Sequence, residues 1–397
     1  MNNLDFLLSL ETQGIKLGLQ RTTALLLKCN NPEKDLKSIQ IIGTNGKGTT
    51  AASISSILQE AGYKIGLYTS PHLVSFNERI KINNKCIPNN YVQKFIERYK
   101  QDIINNSSTF FETMTALALD YFKYNNVDMA ILETGLGGEY DSVTACNPCL
   151  QVFTNISKDH MHILGNNIED IATTKAKAIK DGIPCISFPQ KREVQLILDN
   201  IAQQRHTSID YNLGTFSNNY ISPLVGNHQK TNILLAIKAS KIVNPSINEK
   251  EIMKGIKNIS WPGRMQVIQK KPLTIFDVAH NEDGLLGLCS TIKDFSHKGK
   301  KILILSLQNS KNIDKALPYL SQLFDDIICT QLNDRMYSNN DLINLFSNYK
   351  SIKSVNSSLE VNKIINEAHR DDLIAIVGSH YWGKEIEKIF KISLVSM

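Results

Sequence analysis

The sequence predicts an α/β protein of two domains, a larger one over 1–259 and a smaller doubly wound one over 260–397. Three observations lead there. Short apolar runs alternate with helix-period segments through the first two-thirds of the chain, as in a sheet with crossover helices. A glycine-rich loop, Gly43-Thr44-Asn45-Gly46-Lys47-Gly48-Thr49, stands between a predicted strand and a predicted helix. The pattern breaks at Trp261-Pro262-Gly263-Arg264, a natural domain junction, and resumes beyond it. A chain of 397 residues is also long for a single core.

Taken in order, residues 38–42 read as the first strand, and the loop 43–48 follows it. A helix over 49–61 stops at Gly62, as a C-terminal cap would. Residues 65–68 form the next strand, and 111–124 a helix. The apolar run 127–132 is a buried strand leading into Glu133-Thr134-Gly135-Leu136-Gly137-Gly138. Strands at 150–154 and 184–188 flank a helix at 168–180. Past the junction, 274–276, 301–306, 326–329 and 373–377 read as strands with helices between them. There is no internal repeat.

Composition narrows the function. Hydrophobic residues make up 42% and charged residues 21%, ordinary for a soluble globular protein. No apolar run is long enough to cross a bilayer, and the N-terminus lacks the pattern of a signal peptide, so a cytoplasmic protein is expected. The net charge of +6 is spread along the chain, which favours small anionic ligands over nucleic acid or a membrane surface. Nothing marks an extended apolar interface, so a monomer is expected. Of seven cysteines, Cys146 and Cys149 form one CxxC without the second pair that a zinc site needs; free thiols are the better reading.

The glycine loop carries the strongest chemistry. Glycines let the backbone aim its N–H groups at phosphate oxygens, and the following helix N-terminus adds positive potential. Lys47 can reach the β- and γ-phosphates, and the Thr49 hydroxyl can hold Mg²⁺. The loop is shorter than the usual G-x-x-x-x-G-K-[ST], with Gly48 placed before Thr49. Glu133 emerges at the carboxyl edge of a strand, where open α/β sheets place ligands; a metal role and a plain strand-to-turn reading both fit it. His160, in Lys158-Asp159-His160, stays undecided, because magnesium prefers oxygen ligands. Arg264 and the run Asp277-Val278-Ala279-His280-Asn281 lie at the start of the second domain, as a phosphate-neutralising set or as a polar surface turn.

Together these segments resemble the folylpolyglutamate synthase family within the wider Mur ligase group. The loop at 43–49 resembles the family's short phosphate loop. Thr69-Ser70-Pro71-His72-Leu73 with Asn77-Glu78-Arg79-Ile80, and Phe111-Glu112 with Thr115-Ala116, resemble the next two motifs. Glu133 to Gly138, Asp159-His160 with Leu164-Gly165, and Gly226-Asn227-His228-Gln229 with Asn232 follow in the family's order. Pro262-Gly263-Arg264, Asp277 with Ala279-His280-Asn281, and Gly378-Ser379 complete a series covering nearly the whole chain.

The resemblance implies a Mur-ligase-type ATPase domain with a phosphate loop, followed by a Rossmann-like glutamate ligase domain. It implies ATP held by Gly43, Thr44, Asn45, Gly46, Lys47, Gly48 and Thr49, with Asn232 near the adenine and Arg264 and Asp277 on the nucleotide. It implies Mg²⁺ held by Thr49, Glu133 and His160, and by a carbamylated lysine at the position of Lys175. Lys47, Lys175, Arg264 and His280 would be the catalytic set. The implied reaction joins L-glutamate to dihydropteroate or a reduced folate through an acyl phosphate, releasing ADP and phosphate. Two departures stand out: Glu139 where the family has Arg, with Asp141-Ser142-Val143-Thr144 where it has Asp-Ala-Thr-Asn, and Thr174-Lys175-Ala176-Lys177 where it has Glu-Lys-Ala-Gly. They leave open a folate-binding relative without activity; a P-loop switch or transport ATPase accounts for Lys47 and Thr49 but not for the ordered series.

Overall fold

The computed structural model describes residues 2–14, 16–295 and 297–394. Two compact units emerge. The first holds Met1–Ser157, Met161–Ser222 and Thr231–Ile259; the second holds Lys158–His160, Pro223–Lys230 and Ser260–Met397. The chain thus passes from one unit to the other between Ile259 and Ser260, and two short earlier segments also pack with the second.

The first unit is built on eight strands: β1 (Ser38–Ile42), β2 (Ile65–Tyr68), β3 (Ile80–Ile82), β4 (Lys85–Cys86), β5 (Met129–Glu133), β6 (Leu150–Phe153), β7 (Cys185–Ser187) and β8 (Ile209–Asp210). Their order in the sheet is β4-β3-β2-β5-β1-β6-β7-β8. From β2 to β8 the pairs are parallel, while β3 and β4 form an antiparallel edge. The central strands β1, β2, β5 and β6 are buried along their whole length, and so they read as largely apolar runs, with Gln40 and Gln151 as buried polar exceptions.

Helix ends follow the chemistry of their caps. Gly46, at φ +87°, already serves as the N-cap of the helix Lys47–Glu60, so this helix starts two residues before the expected Thr49. Thr109 and Glu112 form a capping box for Phe110–Tyr124. Asn167 caps Ile168–Ala176, which ends short of the expected residue 180. There the N–H groups of Ala178 and Ile179 turn to the carbonyls of Lys175 and Ala176, tightening the chain into i→i+3 turns before Gly182 at φ +66°.

The second unit carries β9 (Gln266–Lys270), β10 (Leu273–Asp277), β11 (Lys301–Leu305), β12 (Asp326–Thr330), β13 (Lys353–Val355) and β14 (Leu373–Val377), ordered β13-β12-β11-β14-β10-β9. All pairs are parallel except β9 with β10. Its own core gathers Leu303, Leu305, Ala375 and Val377 with Leu285, Leu288, Leu320 and Phe346. No helix among the described residues is long and apolar enough to cross a membrane. All seven cysteines are free thiols: Cys149 is exposed, Cys86 half-buried and the others buried.

Candidate active site

In the first unit β1 lies between β5 and β6, all parallel, so three strand ends adjoin at one carboxyl edge. The glycine loop leaves β1 here. Gly43 has φ +153°, and a Cβ on it would fall on the Thr154 hydroxyl just past β6. The loop is stitched to the segment after β6. Thr44 N–H donates to Asn155 O (2.8 Å), Thr44 Oγ1 donates to Ser157 O (3.0 Å), and Asn45 Nδ2 donates to Ser157 Oγ (3.2 Å). A Cβ on Gly46 would fall on the Asn232 amide, so Asn232 abuts the loop itself. Lys47 opens the helix and its Nζ donates to Thr44 O (3.2 Å). Thr49 is buried in the first turn. The helix N-terminus thus presents N–H groups that lack intrahelical partners, with a lysine beside them, which suits an anion.

Glu133 is the last residue of β5, paired in register with Ile41. It is buried, and its Oε2 accepts from Ser70 N–H (3.0 Å). The glycine turn beyond it is pinned by Asp141, whose two oxygens accept from Leu136 N–H (2.8 Å) and Val143 N–H (3.0 Å). Burial pushes the Asp141 carboxyl up to about 6; these N–H groups and the Lys47 charge pull the other way without cancelling it. Gly138 packs on the backbone of the next helix: a Cβ there would come 2.7 Å from Lys175 O and 2.8 Å from Thr174 O. That contact brings Lys175 to the loop, where its buried Nζ donates to Gly43 O (2.7 Å). One residue from each departure from the family pattern also meets here, since Lys177 Nζ lies 3.3 Å from Glu139 Oε2. The extra lysine beside Lys175 therefore has a counter-charge of its own.

The second unit gathers the remaining residues. Gly263 takes φ +74° and Val278 N–H donates to its carbonyl (3.0 Å); Arg264 Nη1 donates to the same carbonyl (3.0 Å). Asp277 ends β10 and accepts from Met265 N–H (2.8 Å) and Ala279 N–H (2.7 Å), so it ties the Arg264 turn to the His280 turn. His280 Nδ1 lies 2.8 Å from Val278 O, which leaves the proton on that nitrogen. Asp159 is the hub of this unit. Its oxygens lie 2.5 Å from Lys311 Nζ, 3.0 Å from Asn281 Nδ2 and 3.7 Å from His280 Nε2. Burial alone would raise the Asp159 carboxyl; His280, His160 and Lys311 grouped around it outweigh burial and hold it well below the carboxylate range. His160 sits beside it at φ +50°, with its N–H on Asp159 Oδ1 (2.7 Å). His228, in the Pro223–Lys230 segment of this unit, has its pKa lowered by burial.

The donors suit a hard cation in part. The Thr49 hydroxyl and the Glu133 carboxylate are oxygen donors of the kind magnesium takes. Lys175, as an ammonium, is donor-only and holds the Gly43 carbonyl instead. Among the described residues no three His, Cys, Asp or Glu side chains gather as a zinc site would need. Sequence reasoning did not find Lys311. It is a lone lysine in the polar run Gln308-Asn309-Ser310-Lys311, and only the fold reveals that its side chain is buried against Asp159.

A phosphate-type loop at the centre of a parallel sheet, a carboxylate at the next strand end and a second, smaller parallel unit define a Mur-type ligase. The family models agree: the Mur ligase middle domain matches residues 41–240, and the Mur ligase glutamate ligase domain matches 263–380. The dihydrofolate synthase/folylpolyglutamate synthase of Bacillus subtilis (strain 168) is 33% identical over 420 residues, covering 95% of this chain and 96% of the relative. Escherichia coli FolC, solved in complex with DHPP and ADP, superposes with a TM-score of 0.88 at 27% identity, over 98% of each chain. The fold is also that of Mycobacterium tuberculosis folylpolyglutamate synthase complexed with ADP, with a TM-score of 0.90 at 24% identity over 99% and 100% of the two chains. The chain belongs to the dihydrofolate synthase/folylpolyglutamate synthase family of Mur ligases, and it is a ligase of that class.

Proposed function

We propose that this ligase joins L-glutamate to dihydropteroate, to reduced folates or to both, using ATP and magnesium. The observation that carries the reading is the phosphate loop at the carboxyl edge of β1, with Lys47 and Thr49 in its helix and Glu133 at the adjoining strand end. The reaction needs such a site because a carboxylate is a poor electrophile. Its oxygen attacks the γ-phosphorus of ATP, ADP departs, and an acyl phosphate forms. The amine of glutamate then adds to the acyl carbon, and the tetrahedral adduct expels phosphate to leave an amide.

In this scheme the loop N–H groups and the Lys47 ammonium hold the phosphates and offset charge gathering on the transferring group. Thr49 and Glu133 would hold magnesium, with His160 and a carbamylated Lys175 as the ligands the resemblance adds; the cation would supply further charge neutralisation. Carbamylation would turn Lys175 from donor to acceptor, so it would have to release the Gly43 carbonyl. Arg264, Asp277 and His280 would serve the nucleotide and the transferring phosphate. The Glu139–Lys177 pair supports an active enzyme over a binder that has lost activity, since it offsets the charge added beside Lys175.

The test is ADP release by the purified protein with Mg-ATP and L-glutamate, with dihydropteroate or tetrahydrofolate as the acceptor in parallel. Release that needs glutamate and an acceptor supports the reading, and the better acceptor identifies the main substrate. ADP release that ignores both points to another P-loop ATPase.

A further inference from the structure

Arg79, in the first unit, lies outside the set that would hold the nucleotide and the metal. It ends a short 3₁₀ turn, Phe76–Arg79, and is 9% exposed. Its Nε donates to His72 Nδ1 (3.0 Å), and its Cζ lies 5.2 Å from the centroid of the Phe110 ring. An imidazole accepting at Nδ1 is neutral, and a ring face offsets only part of a full charge. Among the described residues the two terminal nitrogens have no hydrogen-bond partner and no carboxylate within ion-pairing distance. Glu11, Glu133 and Glu78 act on it only through space. The Glu78 oxygens are already engaged by the N–H groups of Leu73, Val74 and Ser75. A buried guanidinium without a counter-ion is costly to keep, and arginine does not escape by losing its proton.

Its place in the sheet says what this guanidinium stands beside. The Arg79 carbonyl accepts from Thr69 N–H (2.9 Å), and the next residue, Ser70, donates its N–H to Glu133 Oε2 (3.0 Å). Arg79 and Glu133 therefore flank the same two-residue segment, at the edge where the phosphate loop opens. We infer that the Arg79 guanidinium receives the carboxylate of the acid substrate and so selects acids over their neutral derivatives. A carboxylate fits better than a phosphate here. Two free parallel N–H donors match its two oxygens, and the loop and Lys47 already provide for phosphate. This inference rests on the ligase reading.

The experiment titrates dihydropteroate and its methyl ester onto the full-length protein in the presence of Mg-ADP, for wild type, Arg79→Met and Arg79→Lys. Wild type should bind the acid about 10- to 100-fold more tightly than the ester, the range for a charged hydrogen-bonded contact. Arg79→Met should bind acid and ester alike, at the ester's wild-type affinity and with ADP affinity unchanged. Arg79→Lys keeps a cation without the fork and should retain part of the preference; it decides the matter if the methionine variant does not fold. Full acid preference in either variant overturns the inference, as does equal loss of acid and ester binding. Wild type that releases ADP with glutamate yet binds acid and ester equally also overturns it, while the ligase reading stands. Wild type that forms no product with any acceptor overturns the ligase reading itself.

Discussion

Lys47 is the side chain on which the phosphate-transfer reading depends most directly. It sits at the first position of its helix with its Nζ on the Thr44 carbonyl at 3.2 Å, a bond it can exchange for a phosphate oxygen. Lys47→Met should lower kcat for glutamate-dependent ADP release by about 10²- to 10³-fold, the usual loss for one preorganised charge-stabilising donor. Steady-state kinetics on a variant of unchanged melting temperature checks this. Asp141 carries a prediction about pH. Its folded carboxyl is raised to about 6 by burial, above the unfolded value of about 4. Between those values the folded chain keeps a proton that the unfolded chain has lost. The contribution is therefore fully present below about pH 4 and is lost as pH rises through about 6. Asp141→Asn should flatten that part of the melting temperature–pH curve; a slope unchanged by the substitution would refute the assignment. At this scale the phosphate loop was legible because its seven residues are contiguous, and Glu133 because it closes an apolar run. The Asp159–Lys311 contact joins residues 152 positions apart and leaves no local pattern. The Glu139–Lys177 pair was visible only as two separate departures.

Among the elements, the phosphate-loop helix Lys47–Glu60 and the helix Glu249–Lys257 are locked together at one close approach. Ser56 Oγ donates to Gly255 O (2.7 Å), and a Cβ on Gly255 would come 2.6 Å from Ile57 Cα. Alanine in mid-helix would ordinarily gain about 1 kcal/mol over glycine. The atom it meets is backbone and cannot step aside, and overpacking of that kind costs about 1–3 kcal/mol. The clash should win, so Gly255→Ala should lower the urea midpoint at an unchanged slope; a raised midpoint would mean that the helices can separate freely. The buried central strands were readable because both faces are covered and most positions are apolar; the buried Gln40 and Gln151 satisfy each other across β1 and β6, with Gln151 Nε2 donating to Gln40 Oε1 (2.7 Å). β9, Gln-Val-Ile-Gln-Lys, was missed because it is an edge strand with half-exposed positions and no apolar run. The end of Ile168–Ala176 was overrun because Lys177 to Lys180 remain helix-compatible in composition, while i→i+3 bonding ends the helix.

At the scale of the molecule, two units with separate cores make a single two-state transition a poor description of unfolding. Calorimetry should resolve more than one transition. Mg-ADP should raise the midpoint of the one that melts the phosphate-loop unit, by a free energy of about 2.7 kcal/mol at a hundred times its Kd. A single transition indifferent to nucleotide would count against the loop as the ADP site. The seven free thiols differ in exposure and so in reactivity. Burial pushes Cys29, Cys146, Cys185 and Cys289 to about 12 and Cys329 to about 11, so these hold almost no reactive thiolate at neutral pH. Cys149 is exposed, and its N–H donates to the carbonyl of Ser38 (2.8 Å), the first residue of β1. The glycine loop leaves the other end of that strand, roughly 15 Å away at about 3.3 Å per residue. A maleimide dye would reach Cys149 well ahead of the buried five, with half-buried Cys86 as its one competitor. The dye would then sit a strand's length from the nucleotide, within energy-transfer range of a fluorescent ATP analogue yet clear of the chemistry.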